Sequence, residues 1–168
     1  MSEKVKVIIY TFLITLLCIL GSRHALSSDL SIRGGSAIVN GSLTGGSKIF
    51  GLRYEEPLKR GIEYAVEIGG YVDNLGNGRK GAALAKLQLG VTPGAQIGAF
   101  GSAFTGPCFI SSTDALLGSI YQFCTDFGIG IRDTETILSV TYSHISNAGL
   151  KLPNKGRDFV ILGMGLRW

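Results

Sequence analysis

The chain has 168 residues, 45% of them hydrophobic and only 17% charged, with a formal net charge of +4. That balance fits a single domain and leaves little charge for covering a water-facing surface. Without residues 1–27 the net charge falls to +2, from 13 basic and 11 acidic side chains, so basicity gives no reason to expect a nucleic-acid partner.

The N-terminus reads "MSEKVKVIIYTFLITLLCILGSRHALSS". Lys4 and Lys6 precede an apolar run over residues 7–20, and the small residues Ala25, Ser27 and Ser28 follow it. A basic start, an apolar middle and a small-residue end are the layout of a secretory signal peptide, with cleavage after Ser27. A transmembrane helix is the rival reading, but it needs about 20 apolar residues, and this run stops at Gly21-Ser22-Arg23-His24. Cys18 follows Leu16-Leu17 rather than small residues, which argues against a lipoprotein anchor; it departs with the signal. Cys108 and Cys124 remain, an even pair in an oxidising compartment, and either a disulfide or two buried thiols fits.

From residue 28 onward the chain is a series of short two-periodic runs cut by Gly, Asn, Asp and Pro, with no second helical period. The runs fall at 30–39, 48–56, 61–72, 82–91, 95–104, 120–132, 135–146 and 158–168. In "GIEYAVEIGGYV" Ile62, Tyr64, Val66, Ile68 and Val72 share one face, and Glu63, Ala65, Glu67 and Gly69 the other. Eight strands is the smallest common closed barrel.

The distribution of charge decides which face points inward. Arg53, Glu55, Glu63, Glu67, Lys86, Gln88, Gln122 and Asp126 lie opposite Phe50, Leu52, Tyr54, Ile62, Tyr64, Val66, Leu87, Leu89, Phe123, Phe127 and Ile129. A soluble, lipocalin-like barrel would have to hold all those aromatics inside and present too few charges outside. Turned the other way, both signs of charge pair in the lumen and the apolar set meets lipid. The expected fold is all-β, an eight-stranded antiparallel transmembrane β-barrel over residues 28–168, with Glu63 and Glu67 facing Arg53 and Lys86 inside. Counting back by twos from Trp168 gives Leu166, Met164, Leu162 and Val160 on one face, an aromatic-ended last strand of the kind that marks outer-membrane barrels.

The seventh run breaks its own pattern. Leu138, Val140, Tyr142, His144 and Ser146 share the lipid-facing side, yet polar groups facing hydrocarbon are costly except near an interface. With the N-terminus in the periplasm, this strand ends at the extracellular rim. Asp158 has the parity of Trp168, so it points outward as well. A register that sets His144 opposite Asp158 also sets Tyr142 opposite Val160 and Val140 opposite Leu162, and directly paired residues have Cβ atoms about 5 Å apart. Ser146 stands about 6.6 Å further along. The three residues suit nucleophile (Ser146), base (His144) and orienting acid (Asp158), with Asn147 next to the nucleophile as an oxyanion donor. From His-x-Ser alone, polar rim residues before a turn are the stronger reading, and Asp158 on the same face brings the two readings level.

"YSHISNAG", then "LPNKGRD" and the aromatic-ended strand, resemble the lipid A 3-O-deacylases of the outer membrane, the PagL family. The resemblance extends to "FCTDFGIGIR" and, for the first five strands, to architecture alone. It implies an ester hydrolase acting on the 3-O-linked acyl chain of lipid A in lipopolysaccharide, with His144, Ser146 and Asp158 as the triad and Asn147, with the Gly149 backbone, as oxyanion donors. It implies location in the outer membrane of a Gram-negative bacterium and no cofactor, and leaves a homodimer open. No metal is expected, because neither histidine has a second ligand at a suitable spacing and His24 leaves with the signal. Asp158 departs from the family's commoner glutamate, and the shorter acid puts the alignment of His144 in question. The competing reading is a small structural or adhesive barrel without activity.

Overall fold

The computed structural model describes residues 28–39, 42–59, 61–73, 80–94, 96–113 and 116–168. The signal-peptide expectation for residues 1–27 lies outside them. Eight strands follow one another: β1 (Asp29–Val39), β2 (Ser42–Lys59), β3 (Ile62–Asp73), β4 (Lys80–Val91), β5 (Gly98–Ile110), β6 (Tyr121–Arg132), β7 (Thr136–Ser146) and β8 (Arg157–Arg167). Each pairs antiparallel with its neighbours, and β1 closes on β8. Backbone bonds between Ser28 and Trp168 run both ways, at 2.9 and 3.1 Å. Ser28 and Trp168 therefore lie at the end with short turns, the periplasmic side of such barrels.

The runs read from periodicity correspond to these strands, but two strands are longer than predicted. β2 starts before residue 48, and β5 continues through Gly106 and Pro107 to Ile110. Gly-Pro reads as a breaker because proline has no N–H to give to a ladder. Here the cost falls on one side only: Pro107 pairs with Phe123 of β6, while the β4 ladder skips from Lys86↔Cys108 to Leu89↔Thr105.

The charged face is inside. Glu67 accepts from Arg33, and Arg53 Nη1 donates to Asp126 at 3.0 Å and to Gln88 at 2.7 Å. Lys86 Nζ lies 3.3 Å from Asp126 and 3.5 Å from Glu67. All six side chains are buried, and the alternation of both signs satisfies charges that hydrocarbon or an empty lumen would leave unpaired. The main partner of Glu67, Arg33 on β1, was not among the residues singled out from the sequence. Glu63 departs from expectation: it accepts from the Thr92 hydroxyl at 2.6 Å, lining a cavity of about 470 Å³ with Asp29, Glu55, Arg132 and Arg167 at the periplasmic mouth. Four residues separate it from Glu67, about 13 Å of strand rise, too far to share Arg53 and Lys86.

Phe50, Leu52, Ile62, Leu87, Leu89, Phe123, Phe127 and Ile129 are exposed on the outer wall, where lipid covers them. Tyr54 and Val66 carry the same parity but are 4% and 8% exposed. Tyr54 packs near Tyr64 and Trp168, with ring centroids 6.2 and 6.4 Å away, and donates to Glu56 at 2.8 Å; Tyr64 donates to the same carboxylate. This cluster at the periplasmic rim gives a wall-facing carboxylate two hydroxyl donors and an aromatic cover. Cys108 and Cys124 form a disulfide, with Cα atoms 5.9 Å apart. It staples β5 to β6 on the lumenal side, behind Ile145 of β7.

Candidate active site

The β7–β8 ladder pairs His144 with Asp158, Tyr142 with Val160 and Val140 with Leu162, the register that sets the acid opposite the base. His144 Nδ1 and Asp158 Oδ1 are 2.7 Å apart, and both side chains are 39% exposed on the outer wall. Asp therefore reaches the imidazole without the extra methylene of glutamate. With Nδ1 protonated and donating to the carboxylate, Nε2 is left as the basic ring nitrogen. Ser146 is the last residue of β7, half-buried and opposite Phe123.

Tyr142 joins the pair unexpectedly. Its hydroxyl donates to the same Asp158 Oδ1, at 2.7 Å. The sequence put Tyr142 on the right face, two residues before His144, but gave it no role, because a tyrosine on a lipid-facing strand is ordinary. Gly156 is a second addition, with φ of 70°. An ideal Cβ at that position would stand 2.8 Å from His144 Cε1 and 3.5 Å from Nε2, so the imidazole lies against bare backbone.

The loop at 147–156 is fixed from inside. Asn147 is fully buried: its backbone N–H donates to Asn154 Oδ1 at 2.9 Å, its Nδ2 to the Lys151 carbonyl at 2.5 Å, and its Oδ1 accepts from Gly149 N–H at 3.0 Å. The two groups expected as oxyanion donors thus bond to the loop; one hydrogen of Asn147 Nδ2 is not taken up by these bonds. Asn154 was not singled out from the sequence, and its side-chain bond to Asn147 depends on how the loop folds back. The β5–β6 connection straps this loop: Gly118 N–H donates to the Pro153 carbonyl at 2.7 Å, Lys155 N–H to the Leu116 carbonyl at 3.0 Å, and Leu117, fully buried, bridges to Asn154. On the lumenal side Lys86 donates to Ser143 at 3.1 Å, and Arg157 to Asp73 at 2.6 Å, anchoring the residues that flank the pair. Among the described residues no group of three or more His, Cys, Asp or Glu side chains is placed to hold a metal ion.

A closed eight-stranded barrel with a lipid-facing outer wall, interrupted near its extracellular rim by a hydrogen-bonded His–Asp pair and a serine, defines a small outer-membrane barrel with a polar site on its outside. Residues 48–167 match the family described as Lipid A 3-O-deacylase (PagL). The chain belongs to that family. It is 43% identical over 61 residues to Lipid A deacylase PagL of Bordetella bronchiseptica, a match that spans 34% of this chain and 34% of that protein. The crystal structure of the outer-membrane enzyme PagL superposes with a TM-score of 0.60 at 23% identity, over 82% of this chain and 97% of that one. The N-terminal barrel domain of Pseudomonas aeruginosa OprF gives 0.62 at 14% identity, over 84% and 97%, and Ail of Yersinia pestis gives 0.57 at 12%, over 87% and 100%. At these identities the three structures speak for the fold, an outer-membrane barrel.

Proposed function

We propose that the chain is a lipid A 3-O-deacylase, hydrolysing the ester at position 3 of lipid A in the outer leaflet with Ser146, His144 and Asp158. The observation that carries this reading is the 2.7 Å His144–Asp158 bond on the outer wall, where a site for soluble substrates would serve no purpose. Family membership supports the same substrate.

In the proposed reaction the Ser146 hydroxyl attacks the ester carbonyl while His144 Nε2 takes its proton. The tetrahedral intermediate collapses, the sugar oxygen leaves with the proton returned by His144, and the acyl chain remains on Ser146. Water, deprotonated by His144, then attacks the acyl-enzyme; the second tetrahedral intermediate collapses, the Ser146 oxygen leaves with the proton returned by His144, and the fatty acid is released. Asp158 holds the imidazole tautomer and offsets the positive charge it acquires. Asn147 and the Gly149 N–H, just past the nucleophile, are assigned as oxyanion donors; both are engaged within the loop, so a turn of the loop would have to present them to the substrate. A site at the rim meets its substrate without drawing the lipid out of the bilayer, and its low water content strengthens each charge interaction. One barrel carries every group named, so the reading needs no second copy.

The test is mass spectrometry of lipid A from cells expressing the chain. Loss of one acyl chain from position 3 is expected, and Ser146→Ala or His144→Ala at matched outer-membrane abundance should abolish it. Full activity of Ser146→Ala would overturn the mechanism, and an inactive parent chain would favour a barrel without enzymatic function.

A further inference from the structure

We propose that Tyr142 is a positioning residue that holds the Asp158 carboxylate in register with His144; the inference rests on the deacylase reading above. Asp158 Oδ1 stands 2.7 Å from both His144 Nδ1 and the Tyr142 hydroxyl. A carboxylate oxygen offers two lone pairs, and here each meets a donor. A single bond to the imidazole would leave the carboxylate free to rotate about χ2 and to exchange one oxygen for the other. The second donor removes that freedom.

The surroundings explain why a tyrosine suits the task. Asp158 is on a wall whose neighbouring outward positions on β7 and β8 are Leu138, Val140, Val160 and Leu162. Toward the bilayer, little water is available to solvate an anion. Tyr142 lies one step below the His144–Asp158 pair on that wall, opposite Val160 on β8 and Phe127 on β6. Tyr142 is 40% exposed; its ring continues the apolar surface, while its hydroxyl turns up to the carboxylate. Acyl chains therefore meet an aromatic face, and the anion receives a hydrogen bond where a solvent molecule would otherwise be needed. Aspartate has one fewer rotatable bond than glutamate, so one tether is enough to define its position.

Steady-state kinetics in mixed micelles of detergent and lipid A test this with wild type, Tyr142→Phe, Asp158→Asn and the double variant. Tyr142→Phe removes only the hydroxyl and should lower kcat about tenfold, the scale of one hydrogen bond to a charged group, with KM within about twofold. In the Asp158→Asn background the same change should have little further effect, because the charge to be held is gone. Heat-modifiability of all four proteins reports that the barrel is intact. Unchanged kcat in Tyr142→Phe would overturn the proposal, as would an equal loss with and without the Asp158 carboxylate. Either result leaves the deacylase reading standing if wild type is active and His144→Ala is not; a wild type that leaves the ester intact overturns both.

Discussion

His144 rests against Gly156, whose missing side chain makes the contact possible. An ideal Cβ 2.8 Å from Cε1, on a residue with φ of 70°, is both a clash and a strained backbone for any other residue. Gly156→Ala should therefore displace the imidazole and lower kcat at least tenfold, while the barrel still forms; deacylation assays on the folded protein check this. Asp158→Asn keeps the shape but loses the charge that stabilises the imidazolium, so its kcat should fall, though less than in His144→Ala. Parity places His144, Ser146 and Asp158 on one face from the sequence alone, whereas the register that opposes His144 to Asp158 is set by the β7–β8 pairing. The Tyr142 bond and the Gly156 contact were not legible, because a hydroxyl direction and a positive φ arise only once β7, β8 and their loop have met.

At the scale of elements, the β7–β8 loop keeps its form through a partner it does not touch in sequence. Leu117 is fully buried beneath it, and the strap through Gly118 and Lys155 closes a small bridge over the rim. Leu117→Ala should remove about 2–4 kcal/mol of packing from this contact and free the loop locally. Trypsin provides a direct readout, since Lys151 and Lys155 are exposed on that loop: the variant should be cut there while wild type resists. Equal resistance would show that the strap is not what holds the loop. None of this pairing follows from periodicity, because the β5–β6 connection carries no alternating pattern.

For the molecule as a whole, the lumen is held by charges of both signs. Glu67 is 1% exposed and bonds to Arg33, with Arg53 and Lys86 within 3.5 Å. Glu67→Leu strands cations in a closed interior, and stability should drop by roughly 3 kcal/mol or more. Urea unfolding of the barrel in lipid vesicles, followed by the fluorescence of Trp168, measures the change; an unaltered midpoint would mean that water, not Glu67, compensates the arginines.

The amino-acid sequence by itself determined the strand count, from two-periodic runs cut by turn residues, the face that meets lipid, from which side carries the charge, and the shared side of His144, Ser146 and Asp158, from the two-residue repeat along β7 and β8. It left open whether Cys108 bonds Cys124, placed Glu63 with the wrong partners and put Tyr54 in lipid. Those outcomes depend on how far strands are staggered around the closed barrel and on which side chains cover the rim, distances that alternation along one strand does not encode. Tertiary structure alone decided that the disulfide forms, that Arg33 reaches Glu67, and that Tyr142 and His144 share one oxygen of Asp158, since each joins residues that only closure and register bring within bonding distance.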